Sequence, residues 1–283
     1  MRLHAILEKK EFNVIRYSDM KNQVSTRQKR LAAVLRHSSG TIRVDDAMEA
    51  LDLDRSHAAK LLAGWHNQGV LRRVARGLYV PVQPTALGKT QVLEDPWILV
   101  PELYSPGYVG GWSALEHWEL TEQLFRSVCV LTSKRTAFGN TEHQGVNFFV
   151  KHIPEDHIFG TKTIWRDQIK ISVSDPHKTI LDIIDDPYLG AGLQHTVDCL
   201  KEFKQLYDRQ SDLDKLLTYA KQIGNGALFK KLGFLAEALG FEQTFIDECV
   251  NNLTTGYTQL DKTATDKSLV TKWRLWIPKG YRF

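Results

Sequence analysis

The chain has 283 residues, 42% of them hydrophobic and 25% charged, with a formal net charge of +4. That length suits about two domains with cores of their own, and the composition is that of a globular protein, which sets aside disordered and fibrous classes. No apolar run reaches the roughly 20 residues a membrane helix needs.

In chain order, the first periodic segment is RQKRLAAVLRH (27–37), with Leu31, Val34 and Leu35 at helical spacing and basic residues opposite. It predicts a scaffold helix. After a Ser-Ser-Gly break, residues 41–44 form a short β-branched stretch. Asp45 then reads as an N-cap, with Ala47, Met48 and Leu51 as the buried stripe of a second helix. The turn LDLD leads to Asp54, the expected cap of a third helix over 55–68 that is closed by Gly69. Ala58, Leu61, Leu62 and Trp65 share one face of it, and Ser56, His57, Lys60, Gly64 and Asn67 lie on the other. Residues 70–80 alternate like a hairpin, with Val70, Val74, Leu78 and Val80 apolar and a turn at Ala75, Arg76 and Gly77. Two helices, a third with a polar outer face and a basic hairpin, in this order, predict a winged helix-turn-helix over 26–82.

In that motif the later helix of the helix-turn-helix pair, here the one over 55–68, enters the major groove with its N-terminal residues near base edges. Arg55, Ser56, His57 and Lys60 occupy the place, and Arg72, Arg73 and Arg76 would carry the wing. Arginine suits phosphate or minor-groove contact, since its planar fork stays charged and donates parallel hydrogen bonds. Charge partition agrees with this reading: residues 1–90 hold 16 Lys and Arg against 8 Asp and Glu, a surplus of eight, and the remainder is acidic by four. Double-stranded DNA is therefore the expected partner. The competing reading is a docking module without DNA affinity.

A linker is expected at PVQPTALGK (81–89), where two prolines and a glycine follow the wing. Residues 1–25 form an unplaced N-terminal extension, and 83–283 form a second domain. Its first part mixes short helices (96–103 after an Asp95 cap, 113–118) with strands (127–132, 145–153, 161–166, 169–174) and a helix over 176–185 opened by Asp175 and Pro176. From about residue 190 it turns mostly helical (196–207, 212–223, 227–239, 244–253) and closes on a strand, 273–277. The predicted class is α+β and multidomain.

Cys129, Cys199 and Cys249 are widely spaced among apolar neighbours and have no CxxC partner, so they read as buried free thiols of a reducing compartment. The opening MRLHAILEKKEF carries no secretory signal, and a cytoplasmic protein without a membrane partner is expected.

Several stretches are similar to the AbiEi-type antitoxins of type IV abortive-infection toxin-antitoxin systems. They are RGLYV (76–80), GYVGGWSALEHWEL (107–120), ISVSDPHKTILDII (171–184), KKLGFLAEALG (230–240), YTQLD (257–261) and KWRLWIP (272–278), and their order carries the likeness over about residues 27–283. The resemblance implies a transcriptional autorepressor, binding inverted repeats in its own promoter, joined to a domain that counters a nucleotidyltransferase-type toxin without a tight complex. It implies DNA contact at Arg55, Ser56, His57, Lys60, Arg72, Arg73 and Arg76. For antitoxicity, Lys230 and Lys231 are expected as an exposed basic surface for RNA or a toxin substrate.

Catalytic patterns fail on inspection, so neither a catalytic site nor a cofactor is expected. A nucleotidyltransferase needs a Gly-Ser turn followed by Asp-x-Asp, and none follows Gly110 to Ser113 before Ser127. Gly88, Lys89 and Thr90 match the end of a P-loop, but position 83 is Gln. His117, His143, His152 and His157 lack metal-ligand spacing on one element. The rival enzyme is a metal-dependent nuclease-like domain, which needs Asp and [Asp/Glu]-x-Lys on neighbouring strands. Asp167 to Lys170 has the wrong gap, and Asp182, Asp185 and Asp186 read as a solvated face or helix end.

Overall fold

The computed structural model describes residues 26–38, 40–82, 95–135, 138–143, 145–166 and 169–281. The N-terminal extension and most of the expected linker lie outside these residues. The chain is mixed α+β and divides into two compact units, the first comprising residues 1–92 with 167–169 and the second residues 93–166 with 170–283.

In the first unit, helix α1 (26–37) is followed by β1 (Ile42–Arg43), α2 (Val44–Leu51), α3 (Arg55–Asn67), β2 (Leu71–Ala75) and β3 (Leu78–Pro81). The strands form an antiparallel sheet in the order β1-β3-β2. Val34, Ile42, Val44, Ala47, Ala58, Leu62, Trp65, Leu71 and Tyr79 close one core. Several expected core positions differ: Leu31, Met48, Leu51, Leu61 and Val70 pack against this core only partly buried. Leu35 is 36% exposed. In β2, Leu71 rather than Val70 is fully buried, because a bulge between Arg73 and Ala75 shifts the register and lets Leu71 and Val74 both turn inward.

The second unit opens on a 3-10 turn (Pro96–Leu99), with the Asp95 carboxylate accepting from the Trp97 amide at 3.0 Å, and continues as α4 (Val100–Tyr104). A six-stranded sheet follows, built from β4 (Gly107–Val109), β5 (Ser127–Thr132), β6 (Gly139–His143), β7 (Val146–His152), β8 (Thr161–Arg166) and β9 (Ile169–Ser174). Its order is β6-β7-β5-β4-β9-β8, with β5 parallel to β7 and antiparallel to β4. Helix α5 (Gly111–His117) lies between β4 and β5, and α6 (Pro176–Asp185) follows β9. Then come α7 (Leu193–Leu206), α8 (Gln210–Ile223), α9 (Gly226–Ala238) and α10 (Gln243–Asn251). A small sheet of β10 (Thr258–Gln259), β11 (Lys267–Val270) and β12 (Leu275–Pro278) ends the chain, in the order β10-β12-β11. β4, β6, β10 and β11 were not expected from sequence; they are short and have weak alternation.

The GGWS turn that loosely suggests a nucleotidyltransferase entry is a packing device. Gly111 sits at φ +51°, and a Cβ there would lie 2.7 Å from the Cys129 sulfur and from the Leu189 carbonyl. Ser113 Oγ accepts from the Cys129 amide at 2.9 Å, which spends the hydroxyl on joining α5 to β5.

α6 is buried along its length, polar residues included. Asp182 is not on a solvated face: it is 7% exposed, accepts from the Tyr108 hydroxyl at 2.8 Å and is ion-paired to Lys178, whose Nζ also donates to Tyr108 at 2.9 Å. Asp185 accepts from Asn225 at 2.5 Å, and Asp186 pairs with Lys151 at 2.6 Å. These aspartates tie α6 and its end to neighbouring elements. Cys129, Cys199 and Cys249 are buried free thiols, and burial pushes Cys199 and Cys249 up to about 12.

Candidate nucleic-acid interface

α3 is positioned from both ends. Ala58, Leu62 and Trp65 are buried at spacings of four and three, which fixes the helix's rotation about its axis. At its start the Asp54 carboxylate accepts from the amides of Ser56 (2.9 Å) and His57 (3.1 Å), satisfying two of the open N–H groups. Gly69, at φ +72°, ends the segment.

With the apolar face fixed inward, Arg55, Ser56, His57 and Lys60 are all exposed. They share one end of one helix. Two of them are engaged with carboxylates: Arg55 Nη1 donates to Asp45 on α2 at 2.7 Å, and the His57 ring pairs with the Asp54 side chain. The His57 ring, with the His57 amide second, holds the Asp54 carboxyl below its usual value. No partner is seen for the Lys60 ammonium among the described residues.

The hairpin arginines divide. Adjacent strand residues project to opposite sides, so Arg72 and Arg73 do not share a face. Arg72, opposite Val80, is half-buried, and burial lowers its guanidinium below the ordinary value without discharging it at neutral pH. Arg73, opposite Tyr79, is exposed, with Nε donating to the Ala75 carbonyl at 3.3 Å, and Arg76 is exposed in the turn.

The chain is similar in fold to a crystal structure of the RV2827C protein from Mycobacterium tuberculosis. The likeness has a TM-score of 0.57 at 13% identity and covers 89% of this chain and 91% of that one. At that identity it speaks to the fold alone. No protein-family model and no curated protein matches the chain.

Lys230 and Lys231 are not the exposed basic surface expected from the sequence. They are 2% and 4% exposed, on a helix α9 that is buried from Leu228 to Ala236. The Lys230 ammonium donates to the Gly256 carbonyl, and that of Lys231 to the Asp185 carbonyl at 2.6 Å. Burial pulls both below the usual lysine value, and they tie α9 to the α6 end and the C-terminal segment. No local pattern marks this, since two lysines in an apolar helix look the same in sequence whether they are solvated or bonded inward. Asp45 is the residue that motif reading undervalued: besides sitting at the start of α2, it restrains Arg55. Among the described residues, no group of three or more His, Cys, Asp or Glu is placed to hold a metal ion, and no helix is long and apolar enough to cross a membrane.

Proposed function

We propose that the first unit is a winged helix-turn-helix that binds duplex DNA, and that the chain is an autorepressor carrying an antitoxin domain. The observation that carries the DNA reading is the exposed polar end of α3, Arg55, Ser56, His57 and Lys60, in one small core with a hairpin that exposes Arg73 and Arg76. On this reading α3 enters the major groove. Arg55 leaves Asp45 for a base edge or phosphate, and the hairpin arginines contact the backbone beside it. The DNA would be an inverted repeat in the chain's own promoter.

The antitoxin half is supported by motif order: the SDPHKTILDII, KKLGFLAEALG and KWRLWIP stretches follow the basic head as they do in AbiEi-type antitoxins. Its object would be a nucleotidyltransferase-type toxin, countered without a tight complex and without catalysis by this chain. Gel shift of the purified chain on its own upstream region tests the repressor half, with a retarded band expected that unlabelled random duplex does not compete away. For the antitoxin half, a neighbouring gene with a Gly-Ser turn and Asp-x-Asp should arrest growth when expressed alone, and this chain should restore it. An unrelieved arrest would remove the antitoxin assignment and leave DNA binding standing.

A further inference from the structure

The second unit carries a surface that the DNA reading does not use. β8 is one of the two edge strands of the six-stranded sheet, and Lys162 and Arg166, four residues apart, lie on the same side of it. Each holds its cation over a tryptophan from a distant part of the chain. Lys162 Nζ is 5.0 Å from the Trp118 ring centroid, and Arg166 Cζ is 5.5 Å from that of Trp97. The His117 ring links the two, with centroids 4.5 Å from Trp118 and 5.6 Å from Trp97. Burial, with Arg166 second, lowers the His117 pKa and leaves a neutral ring at pH 7. Asp95, 3.5 Å from Arg166, orients the guanidinium.

This array borders a cavity of about 400 Å³ lined by Trp97, Glu116, His117, Glu119, Phe125 and Arg126, with Arg166 at its wall. Its volume suits a base with its sugar. Rings interleaved with cations are what an unpaired strand requires, since unstacked bases offer their faces to aromatic side chains while the cations follow the phosphates. A duplex hides those faces. The two glutamates only accept hydrogen bonds, so they favour groups that donate: an exocyclic amine on the base and the ribose 2′-hydroxyl.

We propose that this face binds single-stranded RNA, with Lys162, Arg126 and Arg166 along the phosphates and one amino-bearing base seated between Trp97 and Phe125. The inference is independent of the DNA assignment. Fluorescence anisotropy of the full chain with labelled rC12, rU12 and dC12 tests it. The chain should bind rC12 more tightly than rU12, which lacks the exocyclic amine, and than dC12, which lacks the 2′-hydroxyl. Arg166→Ala and Trp97→Ala should each weaken rC12 about tenfold. Lys162→Ala, at an exposed position, should weaken it several-fold with an unchanged circular dichroism spectrum, so a folding defect at Trp97 does not decide the matter. Arg73→Ala should leave it within twofold. Equal affinity for the three oligomers would overturn the cavity assignment. No binding of rC12, or binding lost in Arg73→Ala and kept in Arg166→Ala and Lys162→Ala, would overturn the RNA face altogether.

Discussion

Arg55 and Asp45 are joined at 2.7 Å with side chains 71% and 59% exposed, an ion pair that contributes little to stability in water. On the proposed DNA-binding reading its consequence falls on binding, since Arg55 would exchange this carboxylate for DNA and Asp45 would repel phosphate. Asp45→Ala should change stability by less than about 1 kcal/mol and tighten binding to duplex DNA. Weaker binding of the variant, measured by anisotropy beside an unfolding curve, would place Arg55 away from the interface. Gly64 tests the same helix face one turn on. It lies inside α3, and a Cβ there would meet nothing within 4 Å, so the protein's own packing does not require a glycine. Gly64→Ala should stabilise the chain by about 0.5 to 1 kcal/mol and weaken DNA binding, because glycine admits close approach of a partner's backbone. Stabilisation with unchanged affinity would mean that this part of the face stays clear of the duplex.

At the scale of elements, α6 shows why polar residues within an apolar periodicity are hard to read. Ile180, Leu181 and Ile184 announced its inward face, and the Asp175 and Pro176 start was legible because caps act locally. The burial of Lys178 and Asp182 depends on Tyr108, some seventy positions earlier, and no local pattern encodes that partner. The same holds for Lys230 and Lys231, whose acceptors are carbonyls of distant segments. For the candidate site the situation reverses: Asp54, Arg55, Ser56, His57 and Lys60 are neighbours in sequence, so a capped amphipathic helix suffices to place them. Asp182→Ala would leave the Lys178 ammonium buried and unpaired, and should cost about 3 to 5 kcal/mol; Lys178→Met combined with Asp182→Leu should cost less than the single change, as urea unfolding would reveal. Gly233→Ala in α9 should destabilise by about 1 to 3 kcal/mol, since its Cβ would fall 2.1 Å from the Trp273 ring.

The join between α6 and α8 should also respond to pH. His177 is 4% exposed, faces Asp175, Asp212 and Lys215 as well as the rings of Phe203 and Tyr207, and its Nδ1 is buried without a hydrogen bond. Burial, with Lys215 second, lowers its pKa in the fold despite the opposing pull of the two aspartates. The unfolded chain therefore takes up this proton first as pH falls. The neutral-His advantage is complete above the unfolded value of about 6.5 and is lost progressively as pH falls through the folded value. His177→Gln should flatten the stability profile below about pH 6.5; an unchanged slope would assign that pH dependence to other groups.

Across the whole molecule, charge is divided along the chain, with a surplus of eight positive charges in the first 90 residues and a deficit of four in the remainder. On the proposed DNA-binding reading, the surplus would provide sequence-independent attraction to phosphate, and α3 would supply the choice among sequences. The two contributions separate experimentally. Arg73→Ala should weaken binding to every duplex and flatten the salt slope by about one unit, whereas a slope equal to the parent's would remove Arg73 from the phosphate contacts. On the proposed function, the exposed end of α3 reads a sequence in the chain's own promoter. The most direct test of this reading is the ratio of affinities for the upstream inverted repeat and for random duplex, measured at one salt concentration for the parent chain and for Arg55→Ala. The parent should show a ratio well above one, and the variant should lose about 1 to 3 kcal/mol on the promoter site alone. A parent ratio near one, or a variant that leaves the ratio unchanged, would contradict it.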